Sequence, residues 1–385
     1  VPTPYPGVSL VGTGQIPVQK RNPQSLRAMG VAAMRRAMDC AGVDTVDALF
    51  VGNMLADELQ GQKHIAALIA SEAGLRGVEA LDVQAATATG AAALRMAYFA
   101  VQSGSARLAI ALGVEKMSEG QPVPALAKAL DAQREVPTGA TLLSQNACVM
   151  QRYMDEFELG VDAFDNFGLI AHRNARSNLN ALFYGKDVAR EDVRASRVIV
   201  PPLRLFDAAP ICDGAAAVVL ARTDEARAFS EHPVRVLSSH VATDWFRLED
   251  RADPFELYAV RKSSTAALSE AGVTLADVDF FEAHDAFSIM TCLALEAVGF
   301  AKRGEGWRMA AEGQIALDGR LPIATLGGLK ARGHPIGASA IYQTCEIAQQ
   351  LTGGAGPNQV SGAQCAMLLS VGGVASTAIT HVFRV

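Results

Sequence analysis

The chain has 385 residues, half of them hydrophobic and 19% charged, with a formal net charge of −6. Such a composition supplies a large buried core and excludes disorder, and the length suggests two or three domains. The acidic balance offers no basic surface for nucleic acid, and no apolar run is long enough to span a bilayer.

In chain order, short apolar runs predict buried strands at GVSLVG near the start, ALFVG (48–52), LAIALG (108–113), AAAVVLA (215–221), VRVLSSHV (234–241), VDFFEAH (278–284), PIATL (322–326) and CAMLLSVGG (365–373). Runs of this kind suit strands covered on both faces. Patterns of helical period lie between many of them, as in LRAMGVAAMRRAMDCAG and VRKSSTAALSEAG. Strands alternating with helices predict a layered α/β architecture. The opening VPTPYPGVSLVG lacks a basic region and a long apolar core, so no signal peptide is expected. Cys40, Cys148, Cys212, Cys292, Cys345 and Cys365 form no C-x-x-C pair. That predicts a reduced, cytoplasmic protein without a metal site.

The chain also reads as a duplication. AGVDTVDALFVG, ending at Gly52, matches AGVTLADVDFFEAH, ending at His284, with a short insertion. TATGAAAL from Thr87 matches HPIGASAI from His334 in the same order. Two ordered matches predict two halves of one fold. The stretch Glu119 to Pro202 breaks the pattern and reads as an insertion within the first half. The expected organisation is a first half over 1–118 plus 203–230, an inserted loop domain over 119–202 covering a substrate site, and a second half over 231–385. Long insertions at the functional face of an α/β core usually cover substrate.

Chemistry is signalled at four junctions. In DVQAATATGAAALRMA (82–97), small residues crowd a tight strand-to-helix turn at Thr87–Gly90. Such a turn presents a side chain at a helix N-terminus, yet here the candidate is Thr87, a weak nucleophile. In EAHDAFS, His284 ends an apolar strand, where a crevice beyond strand ends meets ligand. In GGLKARGHPIGAS, His334 enters a helix through a turn where Gly333 permits unusual φ and Pro335 suits the first helical position. The fourth is the Gly-containing LLSVGGVAST (368–377). Two histidines on repeat-equivalent junctions are expected to converge near a pseudo-twofold axis. The competing reading of either one alone is a packed or surface histidine.

With these motifs the chain resembles the thiolase superfamily over nearly its whole length. GGLKARGHPIGAS is similar to the thiolase Gly-His-Pro motif. EAHDAFS resembles the His-Asp-x-Phe version of sterol-carrier-protein-type and archaeal thiolases, and LGVEKMSEG and DGAAAVVLA are similar to further family segments. The resemblance implies the duplicated five-layer α/β/α/β/α thiolase fold with an inserted loop domain, and a homodimer or dimer of dimers. It implies a coenzyme A thioester as substrate, with no bound cofactor. It also implies that His334 matches the base that activates the family's nucleophilic Cys, and that His284 matches the group binding the thioester oxygen in one oxyanion hole. The backbone N–H groups of Thr87 and Gly372 match the second hole. Such donors stabilise the charge that thioester and enolate chemistry develops on oxygen.

The chain departs from the family at its thiols. The nucleophile of the Cys-Ala-Ser-Gly pattern is Thr87 here, and the second Cys, of Cys-x-Gly-Gly, is Ser370. The Cys of the His-Asp-Cys-Phe version is Ala286. An alcohol is far harder to ionise than a thiol and needs a general base during attack. Cys365 lies five residues before Ser370, so on a strand it faces the other side. Cys292 and Cys345 lie in apolar helical patterns and read as buried small hydrophobes. Three functions are therefore expected alternatives. One is a thiolase-like acyl-CoA acyltransferase of the acetyl-CoA acetyltransferase type, using Thr87. The second is a non-covalent acyl-CoA C–C lyase, of the retro-aldolase or decarboxylase type, with a small OB-domain partner. The third is a non-catalytic CoA-binding subunit. VATDWFRLEDRADP (241–254) reads as a pocket wall, a partner surface or a charged loop.

Overall fold

A computed structural model describes residues 6–385. Its strands are β1 (Val8–Gln15), β2 (Ala48–Gly52), β3 (Glu79–Val83), β4 (Leu108–Lys116), β5 (Val198–Val200), β6 (Leu203–Arg204), β7 (Asp213–Arg222), β8 (Val234–Thr243), β9 (Phe280–Glu282), β10 (Cys365–Gly372) and β11 (Thr377–Arg384). Nine of them form one sheet in the order β3-β2-β4-β7-β1-β8-β11-β10-β9. The two halves meet where β1 pairs antiparallel with β8.

The duplication is written in this order. Outward from the junction, the first half runs β1, β7, β4, β2, β3 and the second runs β8, β11, β10, β9. Pair for pair, the directions agree: β2–β4 and β9–β10 are parallel, while β4–β7 and β10–β11 are antiparallel. The counterpart of β3 is a single parallel bridge between Phe281 and Ile323. PIATL is thus not the expected strand. Pro322 brings no N–H, and Ala324 turns left-handed at φ 47°, so only Ile323 pairs.

Three apolar cores fill the four interfaces of five layers, the central core enclosing the middle helices. Helices Leu26–Ala41 and Ile65–Glu72 pack on the outer face of the first half-sheet. Helices Thr89–Ser103 and Ser339–Leu351 lie between the two half-sheets. Helices Tyr258–Ala271 and Ser288–Val298 cover the outer face of the second. The central strands are largely apolar because both faces are buried: in β10, Cys365, Met367, Leu369 and Val371 enter the outer core, while Ala366 and Leu368 enter the central one. Helices Leu142–Glu156 and Asp165–Ala175, from the stretch after β4, bury Tyr153, Phe167 and Ile170 in the outer core of the second half.

Candidate active site

The paired helices of the central layer start at the two repeat-equivalent turns, and they touch there. Gly90 and Gly337 stand three residues after Thr87 and His334. A Cβ on Gly90 would come within 2.7 Å of the Gly337 carbonyl, and one on Gly337 within 2.6 Å of the Gly52 carbonyl. Only glycine admits this approach. Glu115, at the end of β4, ties the crossing together. It is fully buried and accepts the N–H groups of Gly337, Met54 and Leu55 at 3.1, 3.0 and 3.1 Å. Burial pushes its carboxyl up to about 7.

The Thr87 turn is built from backbone and hydroxyls. Ala86 is held left-handed at φ 48°, a conformation that costs an alanine free energy. Thr89 Oγ1 donates to the Ala86 carbonyl at 2.6 Å and accepts from the Ala85 N–H at 2.9 Å. Thr87, 7% exposed, donates its Oγ1 proton to the Val371 carbonyl at 2.6 Å. Gly372 follows, and a Cβ there would stand 2.7 Å from the Ala85 carbonyl, so the hairpin closes directly on the turn. The structure therefore brings Thr87 and Gly372 together. Ser370 is buried on the face of β10 shared by Ala366 and Leu368; among the described residues it has no hydrogen bond to either histidine. Cys365 lies in the opposite core, on the other face of the strand.

The two histidines meet. Their ring centroids are 5.3 Å apart and the rings are nearly perpendicular, at 85°. His334 Nδ1 is 2.7 Å from Ser339 Oγ. His284 Nδ1 is buried without a partner, while each residue keeps a small exposed fraction, 5% for His284 and 7% for His334. Burial disfavours the charged rings, with Lys330 acting on His284 and the neighbouring His284 and Arg332 acting on His334. His284 is held down to about 3, and His334 lies well below the ordinary imidazole range. Both rings are neutral at pH 7.

A buried charge network fixes this pair. Arg332 bonds the Gly333 carbonyl at 2.6 Å and the Ser339 carbonyl at 3.3 Å, and is paired with Glu346 at 3.1 Å. Asp285 accepts the Leu329 N–H at 2.6 Å, and Lys330 Nζ donates to the Asp285 carbonyl at 2.5 Å. Glu282 accepts the N–H and hydroxyl of Thr325 at 2.9 and 2.7 Å; burial beside Glu346 pushes it up to about 8.

The sequence reading passed over Glu115, Arg332 and Ser339, although all three lie within quoted motifs. It also missed His172, a buried histidine in the helix Asp165–Ala175. Its Nδ1 lies 2.9 Å from the Gly168 carbonyl, and a carbonyl only accepts, so Nδ1 carries the proton and Nε2 a lone pair. Cys212, which that reading did not weigh as a substitute nucleophile, is packed beside the site. A Cβ on Gly333 would meet its sulfur at 3.1 Å. Burial pushes that thiol up to about 12, which removes the thiolate that attack requires.

The sequence model of the thiolase N-terminal domain matches residues 8–224, and that of the thiolase C-terminal domain-like region matches residues 241–385. The chain belongs to the thiolase family. It is 40% identical to an acetyl-CoA acetyltransferase of Methanothermobacter thermautotrophicus, over 98% of this chain and 99% of that one. It is 28% identical to sterol carrier protein 2 of Oryctolagus cuniculus, over 97% of this thiolase-family chain and 71% of the relative. Among solved structures, the Ltp2-ChsH2(DUF35) aldolase superposes with a TM-score of 0.85 at 21% identity, covering 97% of each chain. That likeness speaks for the fold. No helix among the described residues is long and apolar enough to cross a membrane.

Proposed function

We propose that this thiolase-family protein binds an acyl-CoA thioester over the His284–His334 pair and breaks or makes the adjacent carbon–carbon bond without an acyl-enzyme. The observation that carries this reading is the Thr87 hydroxyl, whose proton goes to the Val371 carbonyl at 2.6 Å and not to an imidazole. In the retro-aldol direction, the substrate is a 3-hydroxyacyl thioester. With Nδ1–H donated to Ser339, His334 Nε2 takes the proton of the 3-hydroxyl. The O–H electron pair becomes the new C=O bond, the Cα–Cβ bond breaks, and its pair passes to the thioester enolate. A His284 N–H donor stabilises that oxygen in a water-poor site, and the N–H groups of Thr87 and Gly372 form the second, separate hole. The proton on His334 then returns to Cα, which completes the balance. Imidazolium at His334 is disfavoured in the resting protein, and the adjacent enolate charge offsets that cost during turnover.

Acyl transfer through Thr87 is the second reading, supported by the identity with the acetyl-CoA acetyltransferase. One experiment separates the two: intact and peptide-mapped mass spectrometry after incubation with acetyl-CoA and with 3-hydroxyacyl-CoAs, alongside a cleavage assay. No adduct, with carbonyl product released by wild type and by Thr87→Ala alike, is expected. An acyl group on Thr87 that disappears in Thr87→Ala would establish acyl transfer instead.

The reading carries an assembly. Residues 119–202 form the cover over the site. The edge strand β3 exposes Leu81 at 48%, beside Met96 at 41% and Phe99 at 38%, which supports homodimer formation along that edge. A small OB-domain partner and a cytoplasmic setting belong to the same reading; six free cysteines among the described residues support the latter.

A further inference from the structure

We infer that a groove at the C-terminal ends of β1 and β4 receives the distal end of the acyl chain, and that this end carries a carboxylate. The inference rests on the acyl-CoA reading above and names its substrate class. The groove has a volume of about 810 Å³, within the range of ligand sites. Gln19 to Arg21 follow β1, Met117 and Ser118 follow β4, and Ile211 precedes β7. Ligands of open α/β sheets bind beyond strand carboxyl ends of this kind.

The inner wall is shared with both catalytic turns. Met117 packs in one cluster with Ile336, two residues after His334, and with Ala86, next to Thr87. Val18 and Cys212, neighbours of the lining residues Gln19 and Ile211, press on Gly333. The groove on the other side of this wall, which we assign to the end of a chain held at the histidine pair, is lined by Met117, Leu182 and Ile211, all apolar. It ends at Lys20 and Arg21, both exposed. Among the described residues neither cation is paired with an acid, and the nearby acids are engaged elsewhere. Glu119 is 3.5 Å from Lys116, and Asp213 accepts from the Asn22 N–H at 2.9 Å and the Ser118 hydroxyl at 2.6 Å. An apolar trough closed by two unpaired cations is complementary to an ω-carboxyacyl group. A methyl-terminated chain would leave those charges unanswered.

The test is calorimetric titration of the full-length protein and of its Lys20→Ala/Arg21→Ala variant with adipyl-CoA, hexanoyl-CoA and free CoA. Both substitutions are at exposed positions outside the histidine site. Wild type is expected to bind adipyl-CoA about fivefold or more tighter than hexanoyl-CoA, and the variant to lose that preference while binding free CoA unchanged. Equal affinity for the two thioesters in wild type overturns the inference and leaves the acyl-CoA reading standing. A uniform loss in the variant, free CoA included, also overturns it, because the cations then hold the nucleotide phosphates. Failure of all three ligands to bind wild type overturns both.

Discussion

The two repeat-equivalent turns begin alike and end differently. Each leads into a helix of the central layer, and each carries its glycine to the crossing between Gly90 and Gly337. The first turn is held by short polar side chains and peptide groups: a left-handed Ala86, the Thr89 hydroxyl and the Thr87 bond to Val371. The second is held by buried ions, with Arg332, Glu346 and Lys330 wrapped around the histidines. Buried charges are costly unless paired, and they do not persist as packing filler. The duplication has therefore divided labour. The first turn is built on shape and backbone dipoles, and the second half holds the two histidines and the ions around them.

The sharpest break of this contrast is the pair of substitutions His334→Ala and Thr87→Ala. Loss of a positioned general base lowers turnover by about 10²- to 10⁴-fold. With Thr87 serving only as scaffold, its replacement is expected to lower turnover by less than about tenfold, because it removes one hydrogen bond. Steady-state cleavage of 3-hydroxyacyl-CoAs measures both. Equal losses at the two positions would mean that both turns carry chemistry.

A smaller effect tests the crossing itself. Gly90→Ala gains up to about 1 kcal/mol in helix propensity. It also drives a methyl group to within 2.7 Å of the Gly337 carbonyl, where backbone on both sides resists relaxation. Net destabilisation of about 1–3 kcal/mol is expected from overpacking, read as a lowered urea midpoint. A neutral or stabilising result would show that the two turns are not rigidly coupled.

Much of this was legible beforehand, for a physical reason. Strands buried on both faces announce themselves as apolar runs, so β1, β2, β4, β7, β8 and β10 stood out. The edge strand β3, EALDV, is largely exposed, and Glu79 and Asp82 break its apolar run, so it left no such signal. In β11, the fully buried Thr380 and His381 interrupt the apolar run. Within the site, Thr87 and the two histidines could be named because turn residues and imidazoles are rare and positional. The pairing of Arg332 with Glu346, fourteen residues apart, and the four-donor embrace of Glu115 depend on the meeting of segments far apart in the chain. No local pattern records them. His172 was hidden for the same reason, inside an ordinary amphipathic helix.

The least visible consequence of the contrast is its pH dependence, which the second half should dominate. His172 is held down to about 4, His284 and His381 to about 3, and His334 lies lower than usual as well. Below the ordinary imidazole range, near pH 6.5, the unfolded chain binds protons that the folded one refuses, so stability falls as pH drops toward 3. Glu282 has the opposite sign. Raised to about 8, it keeps a proton in the folded state that the unfolded state releases above its ordinary range near 4.5. Its contribution is full below that range and is lost as pH rises to about 8. Glu115, raised to about 7, behaves alike over a narrower window. Stability should therefore peak near pH 6.5 and decline to about 8, with the stretch from 7 to 8 belonging to Glu282 alone among these groups. Urea midpoints of wild type and Glu282→Gln between pH 5 and 9 measure this. The neutral amide should flatten the curve between 7 and 8 and steepen the acid limb between 5 and 6.5, where Glu282 no longer opposes the histidines. A wild-type curve already flat there would mean that Glu282 is ionised in the folded protein. Arg332 would then be neutralising two carboxylates, and the ionic cradle of the second turn would be built differently from the one described above.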